Sequence, residues 1–334
     1  MSYTDLMQLL ENEARKLNIP FVGNFELTNK CNLKCQFCYI QDRNHNSSEL
    51  DTSEWIRIVS EMSSIGLTRA TFTGGEIFTR NDLEEIYCSS YDTGVRITLL
   101  TNGLLIDEAD CKYLQKRLPE GISITLYGVS DYDYARVTGD NEGFQKIQKT
   151  ISLLKQYHIP FSLKTLALPV LEKQLIKIKQ FAYEQGVKIT LTKYISPTSM
   201  SILPVERLPA SIIKEYASMF DNANDIMGGV RNSDSCSIAS CNAGKARFSI
   251  SADGSMFGCI CYPEVQIPIN KRPCLEVLSE LRANLKKVQT TCEDCISCPY
   301  KTQCGKCGGL NYMETGSVSK CSDYRKELAK YNLA

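Results

Sequence analysis

The stretch of sequence from Cys31 to Cys38 reads CNLKCQFC, so three cysteines fall on one short segment. It directly follows residues 21–27, where apolar and polar side chains alternate with the period of a β-strand. Thr28 and Asn29 then end the alternation as turn-forming residues. The sequence therefore predicts a cysteine-bearing loop at the end of a first strand.

Three thiolates on one loop suit one kind of metal centre better than another. A structural zinc ion takes four protein ligands in a closed tetrahedron and would be one ligand short here. A 4Fe-4S cluster held by three cysteines leaves its fourth iron open to a molecule that brings its own ligands. Reduced structural thiols or half of a zinc site remain the alternatives for the loop taken alone.

The C-x3-C-x2-C spacing, with Phe37 before the last cysteine, resembles the radical S-adenosylmethionine (radical SAM) superfamily. The resemblance implies that Cys31, Cys35 and Cys38 hold a 4Fe-4S cluster whose open iron binds the amine and carboxylate of S-adenosylmethionine (SAM). It also implies that electron transfer from the cluster splits SAM to a 5'-deoxyadenosyl radical, which abstracts hydrogen from the substrate. Phe37 would then stack near the adenine.

Strands and helices alternate along the first 200 residues, which predicts an α/β fold with a parallel sheet and right-handed crossovers. The resemblance makes this sheet a partial (β/α)6 barrel. Strands are predicted at 21–27, 69–73, 95–100, 122–127, 161–168 and 187–194. Helices are predicted at 3–17, 52–65, 81–90, 107–117, 142–157 and 171–185. We expect the first helix to carry Leu6, Leu9, Leu10 and Leu17 on one side, and Thr52 or Ser53 to cap the second.

The predicted domain boundaries follow breaks in this pattern. Residues 1–20 form a lead-in helix, and residues 21–200 form the partial barrel. Pro197, Pro204 and Pro209 mark the exit from it. Residues 201–234 are a linker with a bridging helix near 210–221, and residues 235–334 are a cysteine-rich domain.

Two motifs lie where predicted strands end, which is where ligands bind in parallel α/β sheets. Gly74-Gly75-Glu76 resembles the family's GGE motif, in which glycines let the backbone approach a ligand and the carboxylate pairs with the SAM ammonium. Thr101-Asn102-Gly103 resembles the family's motif at the third strand end. Either motif alone is also compatible with an ordinary turn.

Three further residues are candidate SAM contacts on the fourth and fifth strands. Thr125 occupies the place where relatives carry a serine that touches SAM, and Ser123 faces the same side two residues earlier. Lys164 would pair with the SAM carboxylate, although a surface lysine is the alternative. Arg136 is a second candidate for that carboxylate.

Eleven of the sixteen cysteines follow residue 235, and their spacing resembles a SPASM domain. The resemblance implies two auxiliary 4Fe-4S clusters. The first would be held by Cys241, Cys259 and Cys307, with Cys236 as fourth ligand. The second would be held by Cys295, Cys298, Cys304 and Cys321. Between Cys304 and Cys307 this chain has two residues where relatives often have three. Asp253-Gly254 predicts a hairpin turn between strands at 247–250 and 255–257.

The repeated C-x2-C pairs are also the signature of a zinc ribbon, which is the alternative for this region. Cys261, Cys274 and Cys292 are left over and could supply an alternate ligand or a hydrogen donor. Cys88 and Cys111 lie on predicted helices, where a cysteine is usually a small buried apolar residue.

Composition excludes several classes of protein. The 334 residues carry 38 basic and 38 acidic side chains, so no net field attracts nucleic acid or an anionic membrane. No signal peptide or membrane span is evident. Sixteen cysteines without a secretion signal predict metal ligands in a reducing cytoplasm.

The middle of the chain resembles the peptide-maturase branch of the family, so we expect a radical SAM enzyme that modifies a ribosomally made peptide. The alternatives are a radical SAM enzyme on a small molecule, such as a sugar or alcohol dehydrogenase or a tetrapyrrole-modifying enzyme, and a non-enzymatic zinc scaffold. Because the predicted barrel starts near residue 21, we expect no leader-binding domain before it. The expected partners are the precursor peptide, a separate leader-binding protein, and flavodoxin or ferredoxin as electron donor.

Overall fold

The computed structural model describes residues 3–35, 37–38, 48–197, 206–221, 241–269, 271–288 and 292–333. Its strands are β1 Val22–Thr28, β2 Arg69–Gly74, β3 Arg96–Thr101, β4 Gly121–Thr125, β5 Phe161–Leu166, β6 Ile189–Thr192, β7 Arg247–Ile250, β8 Ser255–Cys259 and β9 Tyr262–Pro268. Its helices are α1 Tyr3–Leu17, α2 Thr52–Ser64, α3 Leu83–Asp92, α4 Glu108–Lys116, α5 Asp131–Thr138, α6 Gly143–Gln156, α7 Leu175–Glu184, α8 Ala210–Ala217, α9 Cys274–Leu285, α10 Glu293–Ile296, α11 Gly308–Thr315 and α12 Asp323–Lys330.

Strands β1 to β6 are parallel and lie side by side in chain order, which confirms the predicted α/β class and the parallel sheet of the partial barrel. The C-terminal hairpin adds to this same sheet. Strand β7 pairs with β1 in parallel, and β8 and β9 follow in antiparallel order. The predicted turn closes the β7–β8 hairpin, where Gly254 takes a φ of +83°. The pairing with β1 was not predicted.

One face of the sheet is apolar and packs against helices. Phe25 is fully buried at its centre, with ring centroids 6.3 Å from Trp55 of α2, 5.8 Å from Phe72 and 5.7 Å from Phe248. These contacts join β1, β2, β7 and α2 in one core, so the hairpin strand β7 is anchored by the same ring that anchors the first strand.

The opposite face of β1 to β6 is mostly polar, and we call it the polar face. The strand register places on it Asn24, Glu26, Thr71, Thr73, Thr98, Leu100, Ser123, Thr125, Ser162, Lys164, Thr190 and Thr192. Ser249 of β7 continues this face, and Asn24 donates a hydrogen bond to its hydroxyl at 3.5 Å. Polar groups on this side of the sheet leave it suited to a bound ligand rather than to a second layer of apolar core.

Helix α1 crosses the amino-terminal ends of the strands. Its Glu11 is buried and accepts hydrogen bonds from Arg247 and Asn242, and its Tyr3 donates to Glu120 at 3.1 Å. The expected apolar stripe stays in solvent instead: Leu6, Leu9, Leu10 and Leu17 are 39–68% exposed. The helix lies where it was predicted, and the partly buried ion pair of Glu11 with Arg247, rather than leucine packing, attaches it to the sheet.

Other differences concern local signals and the C-terminal third. Asp51, rather than Thr52 or Ser53, caps α2 by accepting from the amide of Glu54. The helices α5, α9, α10, α11 and α12 and the strand β9 were not predicted from the sequence. No helix in the described part of the chain combines the length and apolar character that a membrane crossing requires.

Candidate functional site

The loop after β2 lies directly against the loop after β1. The amide of Gly75 donates to the carbonyl of Thr28 at 2.7 Å, and the amide of Glu76 donates to the carbonyl of Lys30 at 2.8 Å. A Cβ at Gly75 would lie 2.2 Å from the Lys30 oxygen, and one at Gly74 would lie 2.3 Å from the Thr28 oxygen. Only glycines permit this approach, so the GG pair holds the base of the cysteine loop.

Glu76 connects the Gly74-Gly75-Glu76 and Thr101-Asn102-Gly103 motifs, which lie at the carboxyl ends of β2 and β3 and which we call the rim motifs. It is 1% exposed and accepts hydrogen bonds from the Thr101 hydroxyl and the Asn102 amide, each at 2.7 Å, and from the Phe78 amide at 3.2 Å. Burial raises the pKa of Glu76 to about 7, against the lowering effect of these donors. Its carboxylate therefore faces Thr101 and Asn102, and its contact with a SAM ammonium stays a prediction.

Asn102 extends this network to the cysteine loop. Its side-chain amide donates to Oδ1 of Asn32 at 2.8 Å, and its own Oδ1 accepts from the amide of Leu104 at 2.9 Å. On the other side of the loop, the amide of Lys34 donates to the carbonyl of Thr138 in α5 at 3.0 Å. The cysteine loop is thus held by the loop after β2, by the loop after β3 and by α5. Asn32 was missed from sequence, because nothing in the spacing of the cysteines indicates its partner.

None of the three cysteines of the loop forms a disulfide. The Sγ of Cys31 accepts a hydrogen bond from the amide of Leu33 at 3.4 Å, and the amide of Cys38 donates to the carbonyl of Cys35 at 3.1 Å. Burial, together with the neighbouring Cys38 and Cys31, raises the pKa of Cys35 to about 12. Three thiolates on one loop would repel one another without a bound cation, and their ligation of iron stays a prediction.

Two aromatic residues flank this loop. The ring centroids of Phe37 and Tyr127 lie 6.0 Å apart, and the Tyr127 hydroxyl is hydrogen bonded to the thiol of Cys35. Tyr127 is 7% exposed and follows β4. It was not predicted as a site residue. The aromatic side chain after a strand end was the available signal.

The remaining SAM candidates share one region of the polar face. Thr125 and Lys164 are register partners on β4 and β5, and Ser123 lies on the same face one step below Thr125. Lys164 is half-buried, and burial lowers its pKa. Arg136 does not join them: it lies exposed on α5, with its guanidinium 5.5 Å from the centroid of the Tyr132 ring.

The C-terminal cysteines form two groups. In the first, burial and then the neighbouring Cys259 and Cys307 raise the pKa of Cys241, burial and then Cys259 raise the pKa of Cys307, and buried Cys261 lies beside Cys259. Backbone amides donate to three of the sulfurs at 3.3–3.4 Å: Ala243 to Cys241, Cys261 to Cys259 and Leu310 to Cys307. A hydrogen bond from the Cys261 thiol lowers the pKa of Cys259 to about 7.

The second group contains Cys295, Cys304 and Cys321, with Cys292 beside them. The Sγ of Cys304 accepts from the amide of Lys306 at 3.4 Å. Burial raises the pKa of Cys321 to about 12. The two groups also contain Cys261 and Cys292, two cysteines that the sequence left over, and the assignment of ligands to each auxiliary cluster stays a prediction. Cys274 lies apart, with its amide on Glu61 at 2.8 Å.

Two predicted ligands are not placed in these groups. Cys236 lies outside the described residues. Cys298 lies in the turn between Cys295 and Cys304, where its carbonyl accepts a hydrogen bond from the amide of Lys301 at 3.3 Å.

Of the two cysteines on helices of the barrel, Cys111 is fully buried as expected and Cys88 is half-buried.

The members of both C-terminal groups are cysteine sulfurs, which are the ligands that iron–sulfur clusters take. Amide-to-sulfur hydrogen bonds, present at Cys31, Cys241, Cys259, Cys304 and Cys307, stabilise thiolates in such sites.

Residues 25–182 match the family model described as Radical SAM superfamily. This segment of the chain is therefore a radical SAM domain. The matched segment runs from β1 to α7 and contains the cysteine loop, both rim motifs and the polar face.

Curated relatives of the chain include heme-pathway enzymes, peptide-modifying proteins and probable GTP 3',8-cyclases. The chain is 24% identical to the AdoMet-dependent heme synthase of Methanosarcina barkeri, over 92% of this chain and 96% of that protein. It is 30% identical to a PqqA peptide cyclase of Granulibacter bethesdensis, over 41% of this chain and 37% of that protein. It is 26% identical to the sporulation killing factor maturation protein SkfB of Bacillus subtilis, over 42% of this chain and 34% of that protein.

Solved structures share the fold along nearly the whole chain. Streptococcus suis SuiB bound to S-adenosylmethionine superposes with a TM-score of 0.71 at 17% identity, covering 98% of this chain and 84% of SuiB. Native anSMEcpe with bound AdoMet superposes with a TM-score of 0.72 at 16% identity, covering 94% of this chain and 96% of anSMEcpe. At these identities the likeness shows the fold alone.

Proposed function

We propose that this radical SAM enzyme removes hydrogen from a ribosomally made peptide and so installs a crosslink, a thioether, an epimerised residue or an oxidised residue. The observation that carries the proposal is the joined rim: the cysteine loop, Glu76 and Asn102 form one hydrogen-bonded unit at the carboxyl ends of the strands. The polar face adjoins this unit. The cluster and SAM, once bound, supply the radical that takes the hydrogen atom.

Each residue of the rim has a distinct task in this proposal. Cys31, Cys35 and Cys38 ligate the cluster. The Gly74-Gly75 pair and Glu76 shape the loop that meets the SAM amine, and Phe37 packs near the adenine. Ser123, Thr125, Lys164, Thr101 and Asn102 complete the SAM site, with the Lys164 ammonium positioned for the SAM carboxylate.

The two auxiliary sites extend the proposal to the C-terminal region. Cys241, Cys259 and Cys307, with Cys236, hold the first 4Fe-4S cluster. Cys295, Cys298, Cys304 and Cys321 hold the second. Seven or eight thiolates behind a radical SAM core favour iron–sulfur clusters over a zinc ribbon, and the amide-to-sulfur hydrogen bonds support this assignment.

The charges on the polar face favour a peptide over a tetrapyrrole. Arg69 at the foot of this face pairs with Glu120 at 3.0 Å. Above that ion pair, the strands from β1 to β6 place only Glu26 and Lys164 there as charged residues. A coproporphyrin-type substrate carries several carboxylates and needs several cations, whereas SAM already uses Lys164. A peptide backbone is instead matched by the hydroxyls and amides of this face.

A tetrapyrrole-modifying enzyme is the second candidate function. It is favoured by the match to the M. barkeri heme synthase, which covers 92% of this chain. The peptide-modifying relatives match shorter parts, since the chain spans 37% and 34% of the length of the two named above. No described residue favours the alternative of a sugar or alcohol dehydrogenase. The alternative of a non-enzymatic zinc scaffold is disfavoured, because the relatives of this chain are enzymes.

The cofactor proposal is tested on anaerobically reconstituted protein. We expect about twelve irons with matching sulfide, from three 4Fe-4S clusters, and 5'-deoxyadenosine plus methionine after dithionite is added. The matched control replaces Cys31, Cys35 and Cys38 by alanine, which should lower the iron to about eight and abolish both products. No deoxyadenosine from the fully loaded wild-type protein would refute the proposal.

The substrate proposal is tested by presenting two substrate classes side by side. Peptides encoded by short reading frames beside the gene are incubated with the loaded enzyme and SAM, and an iron-coproporphyrin is incubated in parallel. We expect a peptide to lose the two hydrogens of a new bond, or to be epimerised, while the tetrapyrrole is unchanged. Decarboxylation or oxidation of the tetrapyrrole with no change in any peptide would establish the second candidate.

The proposal includes a cytoplasmic location, an electron donor such as flavodoxin or ferredoxin, and a separate leader-binding protein. Neither nucleic acid nor a membrane is required. Reduction by purified flavodoxin with its reductase, in place of dithionite, would test the donor.

A further inference from the structure

Arg325 of α12 is a buried cation between the two groups of C-terminal cysteines. It is 3% exposed. Its guanidinium donates to the carbonyl of Cys307 at 2.7 Å, to Oδ1 of Asn311 at 3.2 Å and to the Sγ of Cys304 at 3.7 Å. Cys307 belongs to the first group and Cys304 to the second, so one side chain contacts both.

Arg325 differs from the other buried arginine of this region in its counter-charge. Arg207 forms an ion pair with Glu314 at 2.8 Å. In the described part of the chain, no aspartate or glutamate forms an ion pair with Arg325. The ionisable groups that act electrostatically on it are the thiols of Cys307, Cys304 and Cys321 and the hydroxyl of Tyr194, all of which are neutral in their protonated forms.

A buried guanidinium without an anion is strongly disfavoured, because desolvation removes its hydration and nothing replaces it. Neutral acceptors such as the Cys307 carbonyl and Asn311 satisfy its hydrogen bonds but not its charge. Cysteine thiolates bound to iron would carry the missing negative charge. The three cysteines near Arg325 come from both predicted auxiliary sites, which makes the guanidinium a common neighbour of the two.

We propose that Arg325 is the shared counter-charge of the two auxiliary iron–sulfur sites and that it raises their reduction potentials. This rests on the proposed function, which places clusters at these cysteines. Reduction adds one negative charge to a cluster, so a nearby cation stabilises the reduced form more than the oxidised form. The hydrogen bond to Cys304 acts in the same direction, because it withdraws electron density from a ligand sulfur. Arg325 is thus a positioning and charge-compensating residue, not a cluster ligand.

The test measures potentials and not turnover. It uses the full chain with Cys31, Cys35 and Cys38 replaced by alanine, so that only the auxiliary sites are loaded and seen by electron paramagnetic resonance. In this background Arg325→Gln removes the charge and Arg325→Lys keeps it. The matched control is Arg272→Gln, which removes an arginine whose partners are Glu276 and Glu280 on the exposed side of α9.

We expect Arg325→Gln to lower the midpoint potentials of both auxiliary sites, Arg325→Lys to retain most of the parent values, and Arg272→Gln to leave them unchanged. Loss of auxiliary iron in Arg325→Gln that is rescued in Arg325→Lys would also support the charge role. Unchanged potentials in Arg325→Gln with full iron content would overturn the inference. So would equal iron loss in both Arg325 variants, since shape rather than charge would then matter.

Failure of the underlying function gives a different result. If the parent variant holds zinc or no metal in its C-terminal region, the auxiliary clusters themselves are refuted. If it holds about eight irons and only the Arg325 effect is absent, the clusters stand and the inference alone falls.

Discussion

Glu76 is a buried carboxylate whose hydrogen bonds all come from the rim that it organises. Donors from Thr101, Asn102 and Phe78 favour its charged form, yet burial outweighs them and raises its pKa to about 7. At this position a carboxylate is therefore costly to keep ionised and is retained for the geometry that it imposes on two loops.

The raised pKa of Glu76 predicts a pH dependence of stability in the cluster-free protein. Because its folded-state pKa lies above the ordinary glutamate value of 4.5, the folded protein holds the proton more tightly than the unfolded chain does. This contribution is complete below about pH 4.5 and is lost as the pH rises through about 7, a fall of roughly 3 kcal/mol in the free energy of unfolding. Urea denaturation across this range measures it.

Glu76→Gln should remove that component, since glutamine accepts from Asn102 and donates to the Thr101 oxygen without titrating. The variant is expected to show a smaller decline in unfolding free energy between about pH 5 and 7.5 than the wild type. An equally steep decline in both proteins would exclude Glu76 as its source.

Gly75→Ala tests the close approach of the two rim loops. The new methyl group would lie 2.2 Å from the Lys30 carbonyl, so one backbone must move and the cysteine loop loses its support. We expect a loss of about 1–3 kcal/mol in stability and incomplete loading of the N-terminal cluster, read from iron content.

The matched control for this change is Gly121→Ala. A Cβ there meets nothing within 4 Å, and Gly121 has no positive φ. It should leave both stability and iron content close to wild type. Equal iron loss in the two variants would mean that the contact with Lys30 is not what supports the loop.

At the scale of elements, β7 shows how a C-terminal strand becomes part of the N-terminal sheet. It pairs with β1 in parallel from Val22–Arg247 to Phe25–Ile250. Phe248 then places its ring 5.7 Å from that of Phe25, above Gly23, where a Cβ would lie 2.6 Å from the Phe248 ring. The hairpin that carries Cys259 is thereby fixed to the strand that precedes Cys31.

Phe248→Ala should loosen this attachment. Truncating a fully packed aromatic ring costs about 3–5 kcal/mol, and Phe248→Leu should cost less because it fills most of the space. Denaturant unfolding of the cluster-free protein measures the loss. Amide hydrogen exchange should locate the increased opening in β7 and β8 rather than in β5 and β6. Uniform loss of protection along the sheet would contradict this role.

At the scale of the whole molecule, a buried ion pair connects the segment after β6 to α11. Arg207 and Glu314 are 2.8 Å apart with side chains 9% and 7% exposed, and the Tyr194 hydroxyl donates to Glu314 at 2.6 Å. The Arg207 guanidinium also lies 4.4 Å from the ring centroid of Tyr324, which adjoins Arg325. The exit from the barrel is thus tied to α11 and α12, which follow Cys307 and Cys321 in the chain.

Breaking this pair from one side should be more damaging than removing it. Arg207→Met and Glu314→Gln should each lower the unfolding free energy by about 3–5 kcal/mol, because each leaves a buried polar partner uncompensated. The double variant should be less unstable than the sum of the two. A double-mutant cycle in urea measures the coupling, and strict additivity would show that the two side chains do not interact.

Local patterns in the sequence were sufficient for the six parallel strands of the barrel and for most of its helices, although α5 was not predicted. The alternation of strands with amphipathic helices is a local property, and Cys31, Gly74, Glu76 and Asn102 belong to short motifs that are recognised without knowledge of the fold. The same patterns predicted the β7–β8 hairpin from its turn. At α1 they predicted the helix but not its attachment, which Glu11 makes while the leucines stay exposed.

Only the tertiary structure could decide which distant residues meet. Asn32 and Asn102 lie 70 residues apart, Phe25 and Phe248 are brought together by the β1–β7 pairing, and Arg325 reaches Cys304 and Cys307 from a separate helix. A local pattern records what a residue's neighbours in the chain require. Pairing across the sheet and hydrogen bonding in a buried site depend instead on where the chain returns, so the sequence by itself determined the strands and the motifs at their ends, and the fold determined which distant residues they meet.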